Sequence, residues 1–172
     1  MIELEKTYLA KSLPDNLKEC KSKEIIDVYI PKSSVHPTLR LRKNGDKFEL
    51  TKKEPVDGDV SRQEEQTIVL TEEEFNDLDK HLDGKRVSKI RYFYDYEGRT
   101  AEIDVFQEDL TGLVVVDFEF TDPKDKDDFE MPDFCLADIT PEEFIAGGMI
   151  CGKTYEDIKE DLERFGYQKL NP

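Results

Sequence analysis

The sequence predicts a predominantly β protein of the α+β class, an eight-stranded antiparallel β-barrel with a few covering helices. Eight stretches rich in β-branched and aromatic residues alternate in polarity, at roughly 2–9, 23–31, 38–43, 47–53, 62–70, 87–94, 100–107 and 113–121. Turn chemistry at Asn44-Gly45-Asp46 and at Glu97-Gly98 ties neighbouring stretches into hairpins. Closing such a set into a barrel also removes exposed sheet edges.

The third observation is a charge pattern. Glu3-Leu-Glu5, Arg40-Leu-Arg42, Arg62-Gln-Glu64-Glu-Gln66, Lys89-Ile-Arg91, Glu102-Ile-Asp104 and Asp117-Phe-Glu119 each set polar residues two positions apart. In a strand, residues i and i+2 point to the same face, so each pair is aimed as a unit. The apolar partners (Leu39 and Leu41, Ile103 and Val105, Val116 and Phe118) then face outward and need helical cover. Two like charges about 4 Å apart repel by roughly 4 kcal/mol at an effective dielectric near 20. Opposed acids and bases offset part of that repulsion, and a divalent metal with a polyanion would offset more. For a lone pair such as Glu102/Asp104 or Glu64/Gln66, a solvated sheet face is the commoner explanation.

Helix signals are fewer. Thr71-Glu-Glu-Glu74 is a capping box that opens a helix to about Leu82. Asp122 to Phe129 reads as a short charged helix, and Thr140-Pro141-Glu142 sets a cap before a proline at the first helical position. Thr154 begins a last helix, with Ile158, Leu162 and Phe165 on one stripe and Gly166 ending it. Glu54 to Ser61, with Pro55 and Asp57-Gly58-Asp59, reads as a loop.

A chain of 172 residues fits one domain with a sizeable core. Charged residues reach 38%, yet ten Phe and seven Tyr sit in periodic segments, which indicates a folded domain with a very polar surface. A net charge of −16 opposes binding to nucleic acid or to anionic membranes, while leaving room for a small anion in a locally basic pocket. No apolar run is long enough to cross a bilayer, and MIELEKTYL lacks a signal-peptide core. Cys20, Cys135 and Cys151 are odd in number and lack CxxC spacing, so reduced packing thiols and a cytoplasmic location are expected. His36 and His81 lie far apart and give no support to a histidine metal site.

Taken in order, Glu3-Leu-Glu5-Lys6, Leu39-Arg40-Leu41-Arg42-Lys43, Lys52, Ser61-Arg62-Gln63-Glu64, Lys89-Ile90-Arg91-Tyr92, Glu102-Ile103-Asp104-Val105 and Asp117-Phe118-Glu119-Phe120 resemble the CYTH domain, the triphosphate tunnel metalloenzymes. The resemblance covers about residues 2–145 of a single domain spanning 1–172, with 146–172 as a C-terminal helical extension. It implies an eight-stranded tunnel that binds triphosphate-containing substrates with Mg²⁺ or Mn²⁺. Position by position, Glu3, Glu5, Asp117, Glu119 and Asp104 resemble metal ligands. Arg40, Arg42, Lys52, Lys89 and Arg91 resemble the phosphate clamp, with Glu64 and Glu102 in supporting positions. Glu3, Glu5, Arg42 and Glu119 form the implied catalytic set. Hard carboxylate oxygens suit Mg²⁺, and arginine forks suit phosphate oxygens.

The resemblance implies a metal-dependent triphosphatase acting on a small molecule, inorganic tripolyphosphate or a small organic triphosphate, as monomer or homodimer. A class IV-type adenylate cyclase and a triphosphate-binding module are the alternatives. The family pattern ExExK has its lysine at Thr7 here, and Lys6 points to the opposite face of the strand; Lys43, Lys53 and Lys153 are the candidate replacements. Phe134 stands where an aromatic residue is expected. Gly147-Gly-Met-Ile-Cys-Gly152-Lys153-Thr154 satisfies the P-loop string but lacks its strand and sheet context, so coincidence is the expected explanation.

Overall fold

The computed structural model describes residues 2–57 and 59–172, with side chains for all of these except 2, 3 and 59–62; the Glu3 and Arg62 side chains therefore lie outside the described residues. Among the described residues the strands are β1 (Ile2–Ala10), β2 (Lys21–Ile30), β3 (Leu39–Asn44), β4 (Lys47–Val56), β5 (Asp59–Leu70), β6 (Lys85–Tyr96), β7 (Arg99–Phe106), β8 (Val114–Phe120) and β9 (Cys135–Asp138). The helices are α1 (Glu72–His81), α2 (Pro123–Asp128), α3 (Gly147–Ile150) and α4 (Tyr155–Glu163).

All pairings are antiparallel, in the order β5-β4-β3-β2-β6-β7-β8-β1-β9. A short pairing of β1 with β5, Ile2↔Glu64 and Glu3↔Gln63, links one end of that order to the strand next to the other end. Further along, the same edge of β1 is taken over by β9. The register keeps one face consistent all the way round: Thr7↔Asp117, Glu102↔Asp117, Arg91↔Asp104, Lys23↔Arg91, Asp27↔Arg42, Arg40↔Thr51 and Lys53↔Glu65 are each directly opposed pairs. Because side chains alternate along a strand, these residues share the inner face.

The outer face is apolar and covered, as the charge pattern requires. Over β2–β4, Phe75 of α1 packs with Val28 and Leu41, flanked by Phe48, Leu50 and Leu78. The helix starts there because Thr71 and Glu74 complete a capping box, and its buried Phe75 fixes the docking face. Over β1, β7 and β8, Tyr8, Ile103, Val105, Val116 and Phe118 pack with Phe129 and Phe134, and all five strand residues are essentially inaccessible. Each such side chain contributes about 1.5–3 kcal/mol by burial. A third cluster sits at one end of the barrel. There Leu9, Tyr29, Val87, Phe106 and Val115, at inner-face positions, meet Ile139, Ile145, Ile150, Tyr155, Ile158 and Leu162 of the C-terminal segment.

Three expectations are corrected. The 54–61 loop is instead the extended end of a β4–β5 hairpin: Pro55 pairs with Gln63 and a register shift follows it, the bulge site a strand proline requires. Thr140 starts no helix. Its hydroxyl accepts from the Thr7 N–H at 3.0 Å and donates to Asp138 at 2.6 Å, followed by a 3₁₀ turn at Glu143–Ile145. Cap residues serve turns with the same chemistry, so sequence alone does not separate the two. Finally, β9 is a ninth strand of only four residues, Cys-Leu-Ala-Asp, too short for alternation to register.

Candidate active site

On the inner face, β3 supplies Arg40 and Arg42, β6 supplies Lys89 and Arg91, and β7 and β8 supply Glu102, Asp104, Asp117 and Glu119. Arg42 is clamped by a bidentate pair with buried Asp27 on the neighbouring strand, at 2.6 and 2.8 Å. Burial alone would raise the Asp27 carboxyl, but the adjoining Arg42 charge outweighs it and holds the group below the usual carboxylate range. Arg91 reaches three carboxylates: Asp104 through two bonds of 2.7 Å, Glu102 closely, and Asp117 at 3.4 Å. Lys89 also bonds Asp104. Against the effect of burial, Lys89 and Arg91 together keep Asp104 ionised at lower pH than usual.

Asp117 differs. Burial first, then the charges of Asp104 and Glu5, push its carboxyl up to about 7, and Arg91 compensates only in part. Glu5 and Glu119 stand directly opposite each other on β1 and β8, with Thr7 opposite Asp117. Glu5, Asp117 and Glu119 thus make an acidic seam, while cations dominate β3 and β6.

The structure brings Arg40, Arg42, Lys89, Arg91, Glu5, Asp104, Asp117 and Glu119 to one face, with Glu102 beside Arg91. It does not bring Lys52 there. Lys52 pairs across β4 with Leu39 and Gln66, points outward, and bonds exposed Glu54 at 3.1 Å. Glu64 and Gln66 likewise share the outer parity of β5. Their inner-face neighbours are Lys53 and Glu65, with the Glu65 carboxylate 4.0 Å from Arg40. Two adjacent lysines and two adjacent glutamates put charge on both faces, so composition could not choose between them. Asp27, Lys23, Glu49, Lys53 and Glu65 are among the inner-face charges that the i, i+2 pattern missed. For Asp27 the available signal was a lone carboxylate inside the apolar run Ile25-Ile26-Asp27-Val28.

Lys6 faces outward and donates to the Phe129 carbonyl at 3.1 Å, as strand parity predicts. Of the candidate substitutes for the lysine expected at Thr7, Lys43 pairs with Glu24 at 3.0 Å on the outer face. Lys153 lines a separate cleft of about 460 Å³ with Lys32, Lys85, Arg86, Glu108 and Asp109. The P-loop string has no strand before it; Gly147–Ile150 is a single helical turn after a 3₁₀ turn, and Gly152 takes φ +73° to end it. Phe134 packs edge-on against Tyr94 and Tyr96. The three cysteines are unpaired, and burial pushes the Cys135 thiol up to about 12.

Among the described residues, no three His, Cys, Asp or Glu side chains converge as a ready-made metal site. The donor chemistry nonetheless suits a hard divalent cation: the acidic seam includes the half-buried Asp117 carboxylate, whose charge Arg91 balances only in part, and its side chains offer only oxygens. No described helix is long and apolar enough to cross a membrane.

No family model matches the chain. Among relatives, it is 29% identical over 143 residues to an inorganic triphosphatase of Nitrosomonas europaea, an alignment that spans 83% of this chain and 91% of that protein. It is 28% identical over 123 residues to an inorganic triphosphatase of Acetivibrio thermocellus, covering 72% and 77% respectively. Two crystal structures of NE1496 share the fold. One, described as an inorganic triphosphatase, has TM-score 0.65 and 23% identity and covers 88% of this chain and 95% of its own. The other, described as a hypothetical protein, has TM-score 0.66 and 25% identity, with 88% and 99% covered.

An inner face that joins arginines and lysines to an acidic seam has the charge and donor chemistry that suit a polyanion. The chain's relatives and structural neighbours are members of the CYTH domain family, the triphosphate tunnel metalloenzymes, which the chain resembles in sequence and in fold.

Proposed function

We propose that this protein hydrolyses a small triphosphate, with inorganic tripolyphosphate the favoured substrate, and that it does so with a divalent metal, Mg²⁺ or Mn²⁺. The observation that carries the proposal is the inner-face register, in which Arg40, Arg42, Lys89 and Arg91 share one face with the carboxylates of Glu5, Asp117 and Glu119. The named activity of two relatives, each aligned over more than two thirds of its length, supports it.

The chemistry follows from charge. Phosphoryl transfer needs chiefly alignment and neutralisation of the phosphate oxygens. Arg40 and Arg42 present guanidinium forks from one strand, and Asp27 fixes the Arg42 fork so that little reorganisation is needed. Lys89 and Arg91 are held by Asp104, which orients them and leaves Asp104 a positioning role rather than that of a free metal ligand. Glu5, Asp117 and Glu119, with Glu3 from the same strand as Glu5, are the residues that would hold the metal, whose chemistry is to polarise the phosphate and activate water. At Thr7 the hydroxyl-bearing side chain replaces the lysine expected from the family pattern, opposite Asp117. Of the candidate replacements, Lys53 is the one at an inner-face position, on β4.

Incubation of the purified protein with tripolyphosphate, ATP and thiamine triphosphate, each with Mg²⁺ or Mn²⁺, followed by analysis of all products, tests this reading. Orthophosphate and pyrophosphate from tripolyphosphate are the expected result. Cyclic AMP from ATP would move the protein to the cyclase class, and binding without turnover in every mixture would make it a binding module.

A further inference from the structure

The Gly147-Gly148 step is left without a function once the P-loop is set aside, and its surroundings supply one. A Cβ on Gly147 would lie 2.2 Å from the Tyr29 hydroxyl and 3.1 Å from Cζ. A Cβ on Gly148 would lie 2.5 Å from the Pro37 carbonyl and 2.7 Å from the His36 ring. Neither glycine adopts a left-handed backbone, so both are small for reasons of space alone. They press on the two ends of one connection, Tyr29 near the close of β2 and Pro37 just before β3.

Tyr29 stands directly opposite Arg40 across the β2–β3 pairing. It is a buried inner-face side chain, 6% exposed, in the cluster that includes Ile145 and Ile150 of the C-terminal segment. Burial raises the phenol pKa, the Asp27 charge adds to this, and the adjoining Arg40 guanidinium acts against it by its charge. The Arg40 Nε is itself buried and has no partner, although Glu65 lies 4.0 Å from its Nη2. A buried guanidinium of this kind is aimed by what packs around it, because it makes no close ion pair of its own.

We propose that Tyr29, held in place by Gly147, is a positioning residue that aims the Arg40 guanidinium at the triphosphate. The inference rests on the triphosphate reading of the inner face and adds two residues to it, one from the C-terminal segment. Arg42 has its own fixed partner in Asp27, so the device serves Arg40 alone.

The test is a double-mutant cycle read by tripolyphosphate affinity and steady-state kinetics on the full chain with Mg²⁺. Tyr29→Phe removes only the hydroxyl; it is expected to weaken tripolyphosphate binding and raise KM by about tenfold, the worth of one polar contact to a charged group, at unchanged melting temperature. In an Arg40→Gln background the same change is expected to have no effect on affinity. Gly147→Ala is expected to reproduce the KM rise by displacing the phenol, and Tyr29→Phe remains decisive if Gly147→Ala fails to fold. Wild-type KM in Tyr29→Phe, or equal losses with and without Arg40, would overturn the positioning role while leaving the triphosphatase reading intact. A wild-type protein that neither binds nor hydrolyses tripolyphosphate would overturn both.

Discussion

Asp27 and Asp117 are both carboxylates on the inner face of the same barrel, and their acidities move in opposite directions. Asp27, 2% exposed, faces one arginine through a two-bond fork and is held below the ordinary carboxylate range. Asp117 has one longer contact to Arg91, at 3.4 Å, shares that arginine with Asp104 and Glu102, and has Glu5 as a further negative neighbour, so its carboxyl rises to about 7. Burial acts the same way on both, and the balance of partners decides the sign. The β2–β3 wall therefore holds a finished ion pair, while Asp117 in the β1–β8 seam keeps a charge that is balanced only in part. Excess charge of this kind costs stability in the free protein and attracts a cation.

The contrast can be broken from either side. The largest effect is expected from Asp27→Ala, which strands the mostly buried Arg42: about 3–5 kcal/mol of unfolding free energy should be lost in urea denaturation, together with tripolyphosphate turnover. Asp117→Asn should act in the opposite sense on stability. Without added metal it is expected to gain about 1 kcal/mol, because a repelled, partly buried charge is removed, while turnover falls at least about a hundredfold. A loss of stability in that variant would mean that Asp117 is balanced after all.

Thr7→Lys places an ammonium opposite Asp117, the position of the lysine expected from the family pattern; turnover should rise about tenfold, within the range of one added acid–base or charge-stabilising group. The Asp27 pair also sets an acid limit. Its folded pKa is depressed, so its contribution is fully present above the ordinary carboxylate value near 4 and is lost as pH falls through the depressed folded value. Wild type should lose stability steeply below about pH 4, and Asp27→Asn should show a shallower slope in the same acid titration. The smallest effects separate the two faces of β4. Lys53→Ala should raise the KM for tripolyphosphate severalfold, whereas Lys52→Ala should leave both KM and stability, to within about 0.5 kcal/mol, unchanged.

The comparison also shows what the chain discloses before it folds. Arg40/Arg42, Lys89/Arg91 and Asp117/Glu119 were legible because a single apolar residue separates the members of each pair, which fixes their face. The Lys52-Lys53 and Glu64-Glu65 doublets were not, since alternation is blind where both faces carry charge; the register through Pro55 resolves them. Asp27 was invisible as half of a clamp because its partner lies 15 residues away on the next strand. β9 and the Thr140 turn escaped for a related reason. Four residues carry too little pattern, and a threonine hydroxyl caps a helix or a strand-end N–H with the same bond. Distant pairing, rather than local propensity, decided each of these.

The most direct test of the account is phosphate release from tripolyphosphate with Mg²⁺ or Mn²⁺, measured side by side for wild type and Arg40→Ala. Arg40 makes no close ion pair, only the 4.0 Å approach of Glu65, so its loss strands no buried charge and stability should hold while the reaction fails. The account predicts metal-dependent release by wild type, abolished by chelation, and a loss of at least about a hundredfold in kcat/KM for the variant. An inactive wild type with both metals, or an Arg40→Ala protein that works at the full rate, would contradict it.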